Sequence, residues 1–254
     1  MANLRAALRL GAVALWTLLL LPLALPVLAL RPLAKAASLQ LGAWTARLWS
    51  RGVLAACGVR RVVEGPRPPR GAFVACTHHG YMDILLLTSC YSTNFVAKRE
   101  IAYWPVFGPL SRLAGTLFVD RERKSDTVRM RELLLPLLRR GLTITIFPEG
   151  GAGPGASVRP FKPPLFEAAA ALGVPCVPAA LDFATPGARD PGPQLTVCWW
   201  QPEPLHKHVW RLLRLPRVQA RVRFGAPVSG LRDRKALAGE LQRRVEALFV
   251  PTPK

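Results

Sequence analysis

Carboxylates are scarce in this chain. Its 254 residues carry 15 Asp and Glu against 35 Lys and Arg, a formal net charge of +20 at pH 7. A cation of that size seeks polyanions: nucleic acid, anionic lipid or phosphorylated substrates. Nucleic acid is the poorest of these, because the chain has neither zinc-finger spacing nor an RNA-type aromatic signature. The plainer alternative is an arginine-rich solvated surface. Paired cysteines are missing too. Cys57, Cys76, Cys90, Cys176 and Cys198 lie far apart, with no C-x-x-C among them. Their odd number and apolar neighbours predict small core side chains in a reducing compartment, not a disulfide framework or a metal knuckle. No internal repeat of about 20 to 50 residues is present, which excludes a solenoid. The composition is 50% hydrophobic and 20% charged, enough apolar surface for one substantial core, or one core plus a small appendage.

Charge is absent altogether from Leu10 to Leu30. As a helix this stretch reaches roughly 30 Å, the thickness of a bilayer core. Pro22 and Pro26 each remove a helix hydrogen bond, so the segment kinks or forms a re-entrant hairpin. A signal peptide, with Val27-Leu28-Ala29 as a poor cleavage site, and a buried core helix compete with a membrane anchor that spans or dips. The anchor is expected, because the run is long for a signal peptide and Arg31 and Lys35 follow at once. Arg5 and Arg9 precede it, while Arg31, Lys35, Arg47, Arg51, Arg60 and Arg61 follow. That imbalance predicts a membrane protein whose catalytic part faces the cytoplasm, with anionic membrane lipids as partners. Leu41, Trp44 and Leu48 repeat at helical spacing, with Arg47 and Arg51 on another face. This is either an interfacial amphipathic helix or a helix packed on the core. Residues 1–57 are thus expected to form the anchor and interfacial helix, and 58–254 the catalytic domain.

From about Val62, apolar runs alternate with helical patterns. Strands are predicted at Ala72–Cys76, Asn94–Lys98, Thr116–Asp120, Thr143–Phe147, Cys176–Phe183, Leu195–Gln201 and Arg221–Phe224. Helices are predicted at Asp83–Cys90, Pro105–Leu113, Lys124–Arg139, Pro164–Leu172, Leu205–Leu213 and Arg234–Phe249. The alternation predicts an α/β domain with a mostly parallel sheet flanked by helices.

Four segments carry chemistry. In Thr77-His78-His79-Gly80-Tyr81-Met82-Asp83, a histidine precedes an aspartate by five positions. Residues five apart on a continuous helix point about 140° away from each other, so the two meet only if His78 sits in a turn and Asp83 in the first helical turn. An imidazole oriented by a carboxylate is a good base near neutral pH. The plainer alternative makes Asp83 a helix cap, and His79 competes with His78 as the base. Second, Gly115-Thr116-Leu117-Phe118-Val119-Asp120-Arg121 ends a strand at Arg121, which can clamp a phosphate or pair with a nearby carboxylate. Third, Phe147-Pro148-Glu149-Gly150-Gly151 closes a buried strand. Its glycines permit close backbone approach, Glu149 can orient a hydroxyl or pair with a cation, and Lys162 follows as a cation. Fourth, Val174 to Leu181 is a buried strand entered through proline. His206 and His208 lack a third ligand nearby and are expected on the surface or in packing.

Taken together and in this order, these segments resemble the glycerolipid acyltransferase family, of the lysophosphatidate acyltransferase type. Val96-Ala97-Lys98-Arg99-Glu100 and Trp104-Pro105-Val106-Phe107-Gly108 look like the family as well, and the likeness covers roughly Val62 to Val228. It implies that His78 is the general base and Asp83 its orienting partner. Arg121, Glu149, Gly150, Lys162 and Lys98 would be substrate-binding residues. The implied reaction moves a fatty acyl chain from acyl-CoA or acyl carrier protein to the free hydroxyl of a lysolipid, by default 1-acylglycerol-3-phosphate, giving phosphatidate. It needs no metal and no cofactor besides the acyl-donor substrate. Three features depart from the pattern. Thr77 and Gly80 stand where Asn and Ser are usual, and Gly150-Gly151-Ala152-Gly153 stands where Gly-Thr-Arg is usual. The missing arginine weakens the case for a bare phosphate monoester, although Arg159 or Lys162 can compensate. The segments Val158–Phe166, Val197–Trp210 and Arg221–Gly225 look more like the lyso-ornithine-lipid acyltransferase branch. A lyso-ornithine lipid or a lysophospholipid is therefore the alternative acceptor, and a non-catalytic lipid-binding module is the alternative of a different class.

Overall fold

In the computed structural model, residues 1–119, 125–187 and 192–254 are described. The chain opens as an antiparallel helical hairpin. One arm is α1 (Ala2–Leu20), continued through a 3₁₀ turn at Leu21–Leu23 into α2 (Ala24–Leu33); the other is α3 (Lys35–Ala56). Pro22 occupies the 3₁₀ turn and Pro26 the first turn of α2, where a missing N–H costs little. Neither reverses the chain. The reversal comes at Ala34 (φ −146°, ψ 72°), after Pro32. Three bonds seal the arms: Trp16 Nε1 donates to Trp49 O at 3.1 Å, Trp49 Nε1 to Thr17 Oγ1 at 2.9 Å, and Ser38 Oγ to Val27 O at 2.7 Å. Arg9 fastens α1 to the rest of the protein by donating to the carbonyls of Leu213, Leu215 and Pro216. Outward, Leu8, Leu15, Leu18, Leu19 and Leu25 are each more than half exposed. The continuous stretch Ala2–Leu33 is long and apolar enough to cross a membrane.

The domain that follows runs β1 (Val59–Glu64), β2 (Phe73–Cys76), α4 (Tyr81–Cys90), β3 (Asn94–Lys98), α5 (Phe107–Leu113), β4 (Leu117–Val119), α6 (Ser125–Arg139), β5 (Ile144–Ile146), α7 (Glu167–Leu172), β6 (Cys176–Ala184), α8 (Pro193–Thr196), α9 (Leu205–Arg214), β7 (Val218–Phe224) and α10 (Arg234–Leu248). The seven strands form one sheet in the order β1-β7-β6-β2-β5-β3-β4. The five from β6 to β4 are parallel; β7 is antiparallel to β6 and carries β1 parallel to itself. The mostly parallel sheet flanked by helices is thus present, with a reversed pair at one edge. β2 and β5, Phe-Val-Ala-Cys and Ile-Thr-Ile, are buried on both faces, as central parallel strands must be. One core, with Leu54, Met82, Leu86, Leu87 and Phe183, lies under α3, α4 and α9. The other, with Phe73, Leu134, Ile144, Phe166 and Leu241, lies under α6, α7 and α10. Each fully buried leucine or phenylalanine contributes about 1.5–3 kcal/mol.

Two assignments differ from the sequence pattern. The strand predicted at Leu195–Gln201 is instead the short helix α8 followed by irregular chain. Pro193 fits the first helical turn, Pro202 and Pro204 stop any ladder, and the Trp199 N–H donates to the carbonyl of His79 rather than to a strand. Conversely, β1 pairs along Val59–Glu64, where no strand is predicted. Its sequence Val-Arg-Arg-Val-Val-Glu lacks clean alternation because an edge strand with one neighbour leaves most side chains exposed. In α3, Trp44 is 52% exposed while Gly42, Ala43, Val53 and Leu54 are buried, so the helix packs on the domain through a different face from Leu41, Trp44 and Leu48.

Candidate active site

Because β6, β2, β5, β3 and β4 run parallel, their C-terminal ends share one edge of the sheet, where α/β folds place ligands. β2 delivers Thr77, His78 and His79 there, and Gly80 caps α4. His78 lies in the turn and Asp83 in the first turn of α4, so a pair that a continuous helix would separate is brought together. His78 Nδ1 is 2.7 Å from Asp83 Oδ2. The same oxygen accepts from the backbone N–H of His79 at 2.5 Å and of Gly80 at 2.9 Å. Three donors and the helix N-terminus favour a carboxylate here, although Asp83 is fully buried. A carboxylate only accepts, so the proton resides on His78 Nδ1, and Nε2 presents its lone pair. The His78 side chain is 19% exposed.

His79 points the other way. Its Nε2 donates to Leu181 O at 3.1 Å, its ring meets Phe183 edge-on, and it is buried. The two adjacent histidines are therefore distinguished by position: one is partly open to solvent, the other braces β6. Thr77, in place of the usual Asn, is also buried, and its Oγ1 accepts from Leu181 N at 3.1 Å.

The loop after β5 wraps His78. Phe147 stacks on its imidazole with centroids 4.0 Å apart and planes at 11°, and Phe95 stacks on Phe147 in turn. Gly153 N donates to His78 O at 2.9 Å. Glu149 is buried, and Arg159 Nε donates to its Oε2 at 2.9 Å; Arg159 Nη2 also donates to Gly151 O. Burial raises the Glu149 carboxyl above its ordinary value, and Arg159 opposes that rise. Gly150 has φ 86°, and a Cβ there would lie 2.5 Å from Lys162 Nζ, so Lys162 lies over Gly150 while Arg159 takes the carboxylate. Lys98 is exposed where β3 ends on the same edge. Arg121 lies outside the described residues; β4 ends at Val119, before it.

Two features of this site were not foreseen from the sequence. The aromatic floor of Phe147 and Phe95 is one, although Phe147 immediately precedes Pro148-Glu149. The other ties α4 to α9: Tyr81 OH donates to His208 Nδ1 at 2.9 Å, and His208 Nε2 donates to Cys198 O at 3.2 Å. His208 is buried packing and His206 is exposed, so the i, i+2 pair does not converge. Among the described residues, no three His, Cys, Asp or Glu converge as metal ligands. All five cysteines are free and buried. Burial pushes Cys57 to about 11 and Cys176 to about 12, so neither thiol is a ready nucleophile.

An apolar cavity of about 200 Å³ runs between the hairpin and α4–α5. Leu20, Leu23, Val27, Trp49 and Ile84 line it, and it includes Tyr81 and Phe95. Phe95 stacks on Phe147 and Phe147 on His78, so the cavity abuts the imidazole through one aromatic step. The arrangement offers a base with an open nitrogen, a cation–carboxylate loop beside it and an apolar berth.

Residues 60–182 match the family described as Acyltransferase. The chain is 31% identical over 210 residues to the 1-acyl-sn-glycerol-3-phosphate acyltransferase of Neisseria meningitidis serogroup B, covering 78% of each chain. It is 34% identical over 202 residues to the lyso-ornithine lipid O-acyltransferase of Rhodobacter capsulatus, covering 76% of this chain and 71% of that one. The fold is similar to the crystal structure of the 1-acyl-sn-glycerophosphate acyltransferase PlsC from Thermotoga maritima, with a TM-score of 0.63 and 20% identity over 100% of both chains. On these similarities, this chain belongs to the acyltransferase family.

Proposed function

We propose that this enzyme is a membrane-attached O-acyltransferase that moves a fatty acyl chain from an acyl thioester to the free hydroxyl of a lysolipid. The observation that carries this reading is the 2.7 Å bond from His78 to buried Asp83, with Nε2 unengaged among the described residues. His78 Nε2 takes the proton of the acceptor hydroxyl as its oxygen bonds to the thioester carbonyl carbon. The tetrahedral adduct then collapses, the C–S bond breaks, and the departing thiolate recovers the proton from His78. Asp83 holds the imidazole in the required tautomer and stabilises its protonated form. The acyl thioester, on CoA or acyl carrier protein, is a substrate, and this chemistry calls for no metal or resident cofactor. The apolar cavity beside Phe95 is the berth for a fatty chain.

The default acceptor is 1-acylglycerol-3-phosphate, with phosphatidate as product. Arg121, Lys98 and Lys162 are the cations that would meet its phosphate. Lyso-ornithine lipid is the second reading. Two observations favour it: the Gly150-Gly151-Ala152-Gly153 run without arginine, and the engagement of the Arg159 guanidinium by Glu149. The exposed leucines of α1 and α2 support attachment of residues 1–57 to a lipid surface. The bonds from Arg9 to α9 and from Trp16 to Trp49 favour a hairpin lying in the interface over one that leaves the domain to cross it. The excess of arginine and lysine after Leu30 supports a cytoplasmic position for 58–254, against the anionic inner leaflet.

An acceptor panel tests it, using purified enzyme in vesicles with labelled acyl thioester. Product from at least one lysolipid is expected, with His78→Ala and Asp83→Asn each slower by about 10²–10⁴ while still folded. Normal turnover in His78→Ala overturns the mechanism, and inactivity with every donor and acceptor favours a binding module instead.

A further inference from the structure

At the far end of α4, roughly 15 Å along its axis from the His78 end, a second cleft opens between α3 and β1. It encloses about 340 Å³ and is lined by Arg51, Arg61 and Arg67, with Val63 and Cys90. β1 builds half of it by alternation. Arg61 and Val63 face α3, while Glu64 faces the other side of the sheet and is held there by Arg221 at 3.1 Å and Arg223 at 3.0 Å. Among the described residues, no carboxylate lines the cleft. Arg51 Nε and Arg61 Nη1 both donate to Ser89 O, at 3.0 and 3.3 Å, so two guanidiniums converge on one carbonyl at the C-terminus of α4. Arg47, one turn back along α3, completes the group; its Nε is buried with no hydrogen-bond partner among the described residues. Burial first, then the fields of Arg51, Arg67 and Arg61, hold the Arg47 guanidinium below its ordinary value.

Three guanidiniums line this space with Arg47 close enough to feel their fields, and the only described negative counterpart is the partial charge of a helix end. An anion seated among them offsets the repulsion. A guanidinium fork matches carboxylate or phosphate. A carboxylate has two oxygens for three forks, whereas a phosphate monoester brings three free oxygens and nearly two negative charges. We propose that this cleft is a binding site for a phosphate-bearing ligand, separate from the acyl-transfer centre. The phosphate comes from an anionic lipid headgroup or from a soluble phosphate compound. The site does not depend on the acceptor or the chemistry assigned to His78.

The test compares the full-length protein with the double variant Arg61→Gln/Arg67→Gln. A control, Arg214→Gln/Arg217→Gln, removes the same charge from exposed positions at the end of α9. Inorganic phosphate and glycerol-3-phosphate are titrated while thermal unfolding is followed. Attachment to phosphatidylcholine vesicles, with and without phosphatidate, is measured by sedimentation. Wild type and control should gain stability with the soluble phosphates, or bind phosphatidate-containing vesicles more tightly than neutral ones. The cleft variant should lose that gain by about tenfold in affinity. A gain in the first arm alone identifies a soluble ligand, and a gain in the second alone a headgroup. Equal loss in the control, or no gain in wild type in either arm, overturns the proposal.

Discussion

The imidazole of His78 lies flat on the ring of Phe147, 4.0 Å between centroids and 11° from parallel. Phe147 is one residue beyond the described end of β5, so the strand that pairs beside β2 also supplies the floor under its base. Phe147→Leu keeps an apolar side chain and removes the flat face. The expected result is a kcat lower by about threefold to tenfold with little change in KM, since a stacked ring pair contributes about 0.5–1.5 kcal/mol. An unchanged kcat would show that Asp83 alone orients the imidazole.

Gly80 has φ 150°, and a Cβ there would approach Trp199 N to 2.8 Å. Here glycine lets the Trp199 N–H donate to the carbonyl of His79. Gly80→Ser should cost about 1–3 kcal/mol in urea unfolding. Gly239→Ser, in open space on α10, serves as the control and should cost nothing.

Glu149 carries a pH signature. Burial raises its folded pKa above its unfolded value, so protonation favours the fold. The sign follows directly: the contribution is present below the unfolded value and is lost as pH rises through the raised folded value. Glu149→Gln removes this titration. Relative to the variant, wild type should lose stability across that window, as read from unfolding midpoints at a series of pH values. Parallel curves would mean that Arg159 cancels the burial effect completely.

Leu8, Leu15 and Leu19 share one outward face of α1. Replacing all three with glutamine should leave the unfolding midpoint in detergent-free buffer unchanged or higher. It should weaken sedimentation with vesicles by at least about a hundredfold, given about 1.5–3 kcal/mol per buried leucine. Retained binding would shift the anchor to α3 and its exposed Trp44.

Much of this was legible in the sequence. Continuous apolar runs gave away β2, β5 and β6, because strands covered on both faces have no choice of composition. The His78/Asp83 spacing constrained its own geometry, since only a turn followed by a helix start brings the pair together. What stayed hidden depended on distant partners. β1 has one neighbour and so no burial pattern to betray it, and Cys198-Trp199-Trp200 has strand-like residues but spends its amides on His79 and α8. The choice between His78 and His79 also needed three dimensions, because Leu181, more than a hundred positions away, claims the second ring.

Helix α9 is held at both ends. Arg9 grips the carbonyls at its C-terminal exit, and His208 near its start grips Tyr81, which lies two residues from His79. A rod fixed at two points transmits tilt. Displacement of the amino-terminal arm against the domain would reach the turn that carries His78 through α9 and one phenol.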